Sequence, residues 1–225
     1  MRVCAHHSAF ATRDALLLLL VAAVTGFSQT QNPPNQRMET ISRALGVECL
    51  YCHVADGWAR DDKPQFAFAS RMIKMQDGLN SGTLKDLGGV TCWSCHRGMA
   101  KPARMPRAGW EDRLAKWPEN LKLAGGDAQK PAEQVYRNIQ SLKGSPAGGL
   151  AMTMSVFAAA LDVSCDHCHT VGDWGWDAKP AKQIARRMLG LFSEIPHYFE
   201  GGRQPSMQCF TCHQGSPKPQ RRPPA

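Results

Sequence analysis

The sequence predicts a mainly α-helical fold in which one two-motif unit is used twice. Three observations predict it. Cys-x-x-Cys-His occurs four times, the two halves match residue by residue, and no run alternates apolar and polar residues over a strand's length.

The four motifs are Cys49-Leu-Tyr-Cys52-His53, Cys92-Trp-Ser-Cys95-His96, Cys165-Asp-His-Cys168-His169 and Cys209-Phe-Thr-Cys212-His213. They use eight of the nine cysteines in the chain. This spacing is the attachment signature of c-type haem: the two thiols add across the haem vinyl groups, and the adjacent histidine is placed to bind iron as its proximal ligand. The reading implies four covalently bound haems, with His53, His96, His169 and His213 as proximal ligands.

The duplication orders the rest of the chain. With His53 set beside His169, Trp58 falls on Trp174, Asp61 on Asp177, Lys63 on Lys179, Pro64 on Pro180, and Arg71-Met72 on Arg187-Met188. Before the first motif, Met38, Leu45 and Val47 match Met154, Leu161 and Val163. After the second, Gly98 matches Gly215. The chain therefore divides into a leader (1–30), a first dihaem unit (31–102), a linker rich in Pro, Gly and charge (103–130), a second dihaem unit (131–216) and a flexible tail (217–225).

Within each unit the elements follow from local chemistry. Residues 38–45 read as a helix closed by Gly46, which suits a left-handed cap; the second copy ends at Asp162, which tolerates that conformation less easily. Pro64 and Pro180 sit where a first helical turn begins, at no cost in hydrogen bonding. The second unit carries an extra stretch, residues 131–143, whose Val135, Ile139 and Leu142 predict one face of an amphipathic helix. These helices alone bury little, so the haems are expected to form much of the core.

In the leader, Arg2 and Arg13 precede an apolar run over residues 15–24, which is followed by small and polar residues. This is the layout of a secretory signal peptide, an uncleaved anchor being the alternative. Export to the periplasm or the outer face of the cytoplasmic membrane suits covalent haem attachment. The formal charge of +8 invites a nucleic-acid reading, but no basic stripe interleaved with aromatics and no nucleic-acid motif is present. Eight propionates would offset that charge by roughly −8 if ionised as ordinary carboxylates.

The second axial ligand separates carriers from enzymes. Outside the leader and the four motif histidines, the chain offers only His167 and His197, so four bis-histidine haems are excluded. Met38, Met72, Met154 and Met188 recur at matched offsets, two per unit, and are the predicted distal ligands. Met75 and Met152 have no matching methionine and read as packing residues, the ordinary role of a lone methionine. His197 reads as a loop residue, with replacement of Met188 as a minority alternative. His167 is expected to face away from its own iron, and Trp58 and Trp174 to pack on a porphyrin edge. Lys63 and Lys179 read either as propionate partners or as ordinary exposed lysines, and Asp61 and Asp177 as helix-entry residues.

The pattern Met38…Leu-Gly-Val-x-Cys-x-x-Cys-His…Asp-x-Lys-Pro…Arg-Met…Cys-x-x-Cys-His-x-Gly and its second copy resemble the tetrahaem cytochrome subunit of photosynthetic reaction centres and related bacterial c-type cytochromes. The resemblance implies a fold of two dihaem helix-turn-helix modules along a roughly linear haem row. It also implies one-electron transfer from soluble redox donors to a membrane-bound redox complex or reaction centre. One departure matters: the photosynthetic subunit usually takes a distal histidine from between its halves, and none occurs here between His96 and His167.

Other chemistries fit less well. Zinc sites built from Cys-x-x-Cys use intervals shorter than the 39 residues between Cys52 and Cys92. A thiol-disulfide oxidoreductase needs one such motif in a thioredoxin-like sheet. A multihaem oxidoreductase enzyme with one open haem site is the remaining alternative, and no cluster of His, Arg or Tyr attaches to a single motif.

Overall fold

The computed structural model describes residues 36–105, 125–202 and 204–224. The predicted leader and most of the predicted linker lie outside the described residues. Among the described residues the protein is helical, with isolated β-bridges and no strand.

The first module consists of α1 (Gln36–Leu45), a 3-10 turn at Cys49–Tyr51, α2 (Pro64–Ser81) and the short α3 (Cys92–His96). The second begins with a short α4 (Ala132–Val135) and then repeats the plan: α5 (Leu150–Leu161), a 3-10 turn at Cys165–His167, α6 (Pro180–Glu194) and α7 (Cys209–His213). Pro64 and Pro180 each occupy the first turn of their helices, as predicted.

The repeat extends to single hydrogen bonds. Gly98 N–H donates to the Ala44 carbonyl at 2.8 Å, and Gly215 N–H to that of Ala160 at 2.9 Å. Helix α1 thereby lies on α3, and α5 on α7. Both first helices end in a left-handed residue, Gly46 at φ +64° and Asp162 at +56°. An isolated β-bridge follows each first motif, Val54 with Gly57 and Thr170 with Asp173.

Among the described residues, the modules meet through an apolar cluster and through a pair of short helices. Met75, Leu79 and Leu84 of the first module and Ile195 and Phe199 of the second form a common apolar cluster. Phe199 is fully buried, and its ring lies 5.4 Å from that of Phe68. At the edge of this cluster Arg187 of α6 donates to both carboxylate oxygens of Asp86, at 2.9 and 2.6 Å, and to the Thr83 carbonyl at 2.6 Å. The second contact sets α3 against α7, so the second motif of one module adjoins that of the other.

The structure corrects the reading of residues 131–143. Only Ala132–Val135 is helical; Asn138 adopts φ +61°, and no helical face joins Val135, Ile139 and Leu142. The segment is spent on other partners. Pro131 bridges Pro146, Ala132 N–H donates to the Ser145 carbonyl at 2.8 Å, and Arg137 and Asn138 reach Asp173 and Gly175 beside the third motif.

The described ends of the linker and the tail both make contacts with the modules. Gly126–Gln129 forms a 3-10 turn lying on the Ala147–Gly149 turn of the second module, and Ala147 N–H donates to the Lys130 carbonyl. In the tail, Arg221 reaches back to the first module. Its guanidinium donates to the Gly88 carbonyl, and its own carbonyl accepts from the Thr91 hydroxyl at 2.8 Å.

Candidate haem-binding sites

Each motif histidine is held in the same way. Nδ1 lies within hydrogen-bond distance of a carbonyl just downstream: His53 of Trp58 at 2.6 Å, His96 of Met99 at 2.9 Å, His169 of Trp174 at 3.0 Å and His213 of Ser216 at 2.8 Å. A carbonyl only accepts, so Nδ1 must carry the proton, and the lone pair is on Nε2. That tautomer, fixed by an outer hydrogen bond, is what a metal-bound imidazole requires. Burial lowers the pKa of His96, His169 and His213 and favours the neutral ring a metal needs.

Local sequence produces this geometry. In α3 and α7, Ser94 and Thr211 close capping boxes with Thr91 and Gln208, so the five-residue helices have satisfied first turns. Arg97 and Gln214 then turn left-handed, at φ +49° and +45°, bringing the downstream carbonyl back to the ring. In the first and third motifs the loop is longer, and Trp58 and Trp174 supply the accepting carbonyl. Their rings stand tilted against His53 and His169, at centroid distances of 5.5 and 5.7 Å. The tryptophans predicted to pack on a porphyrin edge thus hold the histidine first.

Lys63 and Lys179, whose role was left open, act alike: each ammonium donates into its own attachment loop, to the carbonyls of Leu50 and Asp166. The motif thiols are half-buried, and burial pushes those of Cys52, Cys92, Cys168 and Cys209 up, opposed at Cys52 and Cys168 by these lysines. Cys165 is a half-buried thiol as well, and Cys49 is disulfide-bonded. Cys95 and Cys212 are joined by a disulfide between α3 and α7, with Cα atoms 4.1 Å apart. A sulfur in a disulfide cannot form a thioether, so haem attachment and disulfide bonding exclude each other at Cys49, Cys95 and Cys212 alike.

The methionines occupy matched helices. Met38 lies on α1 with 36% of its surface exposed, and Met154 is half-buried on α5. Met72 on α2 and Met188 on α6 flank the cluster shared by the modules. Met75 belongs to that cluster, as expected of a packing residue, whereas Met152, also read as packing, is exposed. His197 is exposed and pairs with Glu200 at 3.0 Å; His167 is exposed too.

The surroundings fit a large apolar prosthetic group. Leu50, Tyr51 and Trp58 are exposed around the first motif, and Val171 and Trp176 around the third. A mostly apolar cavity of about 350 Å³, lined by Met105, Val156, Phe157, Phe192, Gln208 and Cys209, opens at the fourth. Among the described residues, no three His, Cys, Asp or Glu side chains converge as a metal-ion cage.

Sequence reasoning missed Lys182, Arg186 and Asn138. Lys182 is 8% exposed and donates to the carbonyls of Trp174 and Trp176, at 2.9 and 2.8 Å. It also pairs with Asp177 at 3.1 Å, and Arg186 pairs with the same carboxylate at 2.8 Å. These cations hold the Asp177 carboxyl well below the ordinary range, Arg186 most strongly, so Asp177 is a charge partner rather than a helix-entry cap. The signal lay in the duplication: Lys182 and Arg186 align with Phe66 and Ser70, a mismatch beside otherwise matched residues.

Four imidazoles presented through Nε2, each following a Cys-x-x-Cys pair on a helical frame, define a c-type cytochrome. The comparisons narrow this to one family. The family model for the photosynthetic reaction centre cytochrome C subunit matches residues 29–116 and again residues 106–222, once per module. The chain belongs to that family.

Among similar proteins, the photosynthetic reaction center cytochrome c subunit of Rubrivivax gelatinosus is 27% identical over 214 residues, covering 76% of this chain and 58% of that protein. The subunit of the same name from Thermochromatium tepidum is 32% identical over 108 residues, 45% of this chain and 26% of its own length. Cytochrome c-554 of Chloroflexus aurantiacus is 28% identical over 116 residues, 49% of this chain and 27% of its own. The chain thus spans between about a quarter and three-fifths of these relatives.

Proposed function

We propose that the protein is an exported tetrahaem electron carrier. In this reading Cys49 and Cys52, Cys92 and Cys95, Cys165 and Cys168, and Cys209 and Cys212 each hold one haem c. His53, His96, His169 and His213 are the proximal ligands; Met38, Met72, Met154 and Met188 are the distal ones. The observation that carries it is the repeated Nδ1-to-carbonyl bond, which prepares four imidazoles for metal in one chain.

When bound, haem iron supplies one-electron chemistry between its ferric and ferrous states. The chain's own part is to orient each imidazole, keep those of His96, His169 and His213 neutral by burial, and offer a thioether sulfur that favours the ferrous state. Family membership supports work between soluble redox donors and a membrane-bound redox complex. The leader pattern supports a place in the periplasm or on the outer face of the cytoplasmic membrane. Among the described residues no helix is long and apolar enough to cross a membrane.

The test is acid–organic extraction of the exported protein followed by mass analysis of its haem peptides. Colour retained on all four motif peptides, with a near-infrared sulfur-to-iron band in the ferric protein, is the expected result. Retention of the Cys95–Cys212 crosslink in material carrying haem would remove the second and fourth haems from this reading. A high-spin ferric signal would favour the enzyme alternative.

A further inference from the structure

The two modules differ at one place that bears directly on a proximal ligand. In the second, the Trp174 carbonyl accepts from His169 at 3.0 Å and from the Lys182 ammonium at 2.9 Å. In the first, Trp58 accepts from His53 at 2.6 Å, and Phe66 stands at the position of Lys182, its ring edge-on to His53 at 5.4 Å. Over three corresponding positions, Lys182, Arg186 and Asp177 carry a net +1, whereas Phe66, Ser70 and Asp61 carry −1.

We propose that Lys182 sets the haem carried on His169 at a higher reduction potential than the haem on His53. This inference rests on the four-haem reading above. Two effects act in the same direction. An ammonium bound to the shared carbonyl withdraws its electron density and weakens its hold on the His169 N–H. The imidazole then has less imidazolate character and donates less to ferric iron. The buried cation also opposes the positive charge gained on oxidation, in a setting where solvent screens little. The longer histidine bond in the second module has the sign this requires.

Lys182 is held for the task. The carbonyls of Trp174 and Trp176 accept its protons, and the Asp177 carboxylate faces it as an ion-pair partner, as a buried ammonium needs. Arg186 adds a second bond to Asp177 and one to the Asn138 carbonyl at 3.2 Å; Asn138 in turn donates to the Gly175 carbonyl at 2.6 Å. The segment 137–138, absent from the first module, thus braces the loop over which the ammonium acts. Lys182 is a positioning and tuning residue, not one that touches iron.

The experiment is a spectroelectrochemical titration of the holoprotein, comparing wild type with Lys182→Met, Lys182→Arg and Phe66→Lys. Lys182→Met keeps the stem and should lower the reduction equilibrium of one haem about tenfold, or about 59 mV for one electron. Lys182→Arg should stay within about threefold of wild type. Phe66→Lys should raise a different haem. An Arg variant shifted as far as Met would make the effect one of packing and overturn the proposal. So would four unmoved steps in Lys182→Met protein that retains four haems and its ligand band. If either uncharged or introduced-lysine variant loses a haem, the remaining substitution decides by the same criteria. A wild-type chain without covalent haem would instead defeat the functional reading itself.

Discussion

Gly46 carries the contact that places the second motif of the first module, and Gly46→Ala is the sharpest test of it. The residue sits at φ +64°, and a Cβ there would fall on the Gly98 carbonyl, well inside the 3.0 Å limit of real Cβ contacts and against backbone that cannot rotate away. A left-handed alanine costs about 1–2 kcal/mol. Pushing Gly98 aside also weakens its 2.8 Å bond to Ala44, worth about 1 kcal/mol. Together these give a destabilisation of about 2–3 kcal/mol. Because Gly98 follows His96 by two residues, the shift should also disturb the haem on His96 and no other.

Guanidinium denaturation followed by far-UV circular dichroism measures the first effect, and the ligand band the second. Asp162→Asn is the control: that residue already holds a Cβ in the same conformation, and Gly215 leaves it room, so its cost should stay below about 1 kcal/mol. A Gly46→Ala protein within about 0.5 kcal/mol of wild type, with an unchanged spectrum, would refute the α1–α3 contact as described.

Two further outcomes test how the modules join. Phe199→Ala empties a fully buried site between α2 and the Ile195–Phe199 turn and should cost about 3–5 kcal/mol, with one cooperative transition giving way to two if the modules then melt separately. Asp86 is held down to about 2, first by its hydrogen bonds from Arg187. Its folded pKa lies below the ordinary 3.8, so its contribution is present above pH 3.8 and is lost as pH falls toward about 2. Asp86→Asn should flatten the acid dependence of the denaturation midpoint in that window, and equal slopes for the two proteins would show that the pair does not link the modules.

Much of the site was legible because it is local. A Cys-x-x-Cys-His motif presents its chemistry over five consecutive residues, and a Pro or Gly at a helix end acts within one turn, so Pro64, Pro180 and Gly46 were placed correctly. Residues 131–143 failed the same treatment. Their apolar spacing suits a helix, yet Arg137 and Asn138 bond to a loop some 35 residues away, and those partners outweigh local periodicity. In the tail, composition gave no sign that Arg221 finds Gly88 and Thr91 across the molecule.

Sequence alone determined the covalent signature, the duplication and the helical frame, since each depends on residue identity at short, countable intervals. The tertiary structure decided which carbonyl holds each imidazole, that α3 meets α7, and that a buried ammonium shares the acceptor of His169. The first and third depend on the backbone path of a short loop and the second on which surfaces meet after the chain folds back, and residue spacing alone encodes neither.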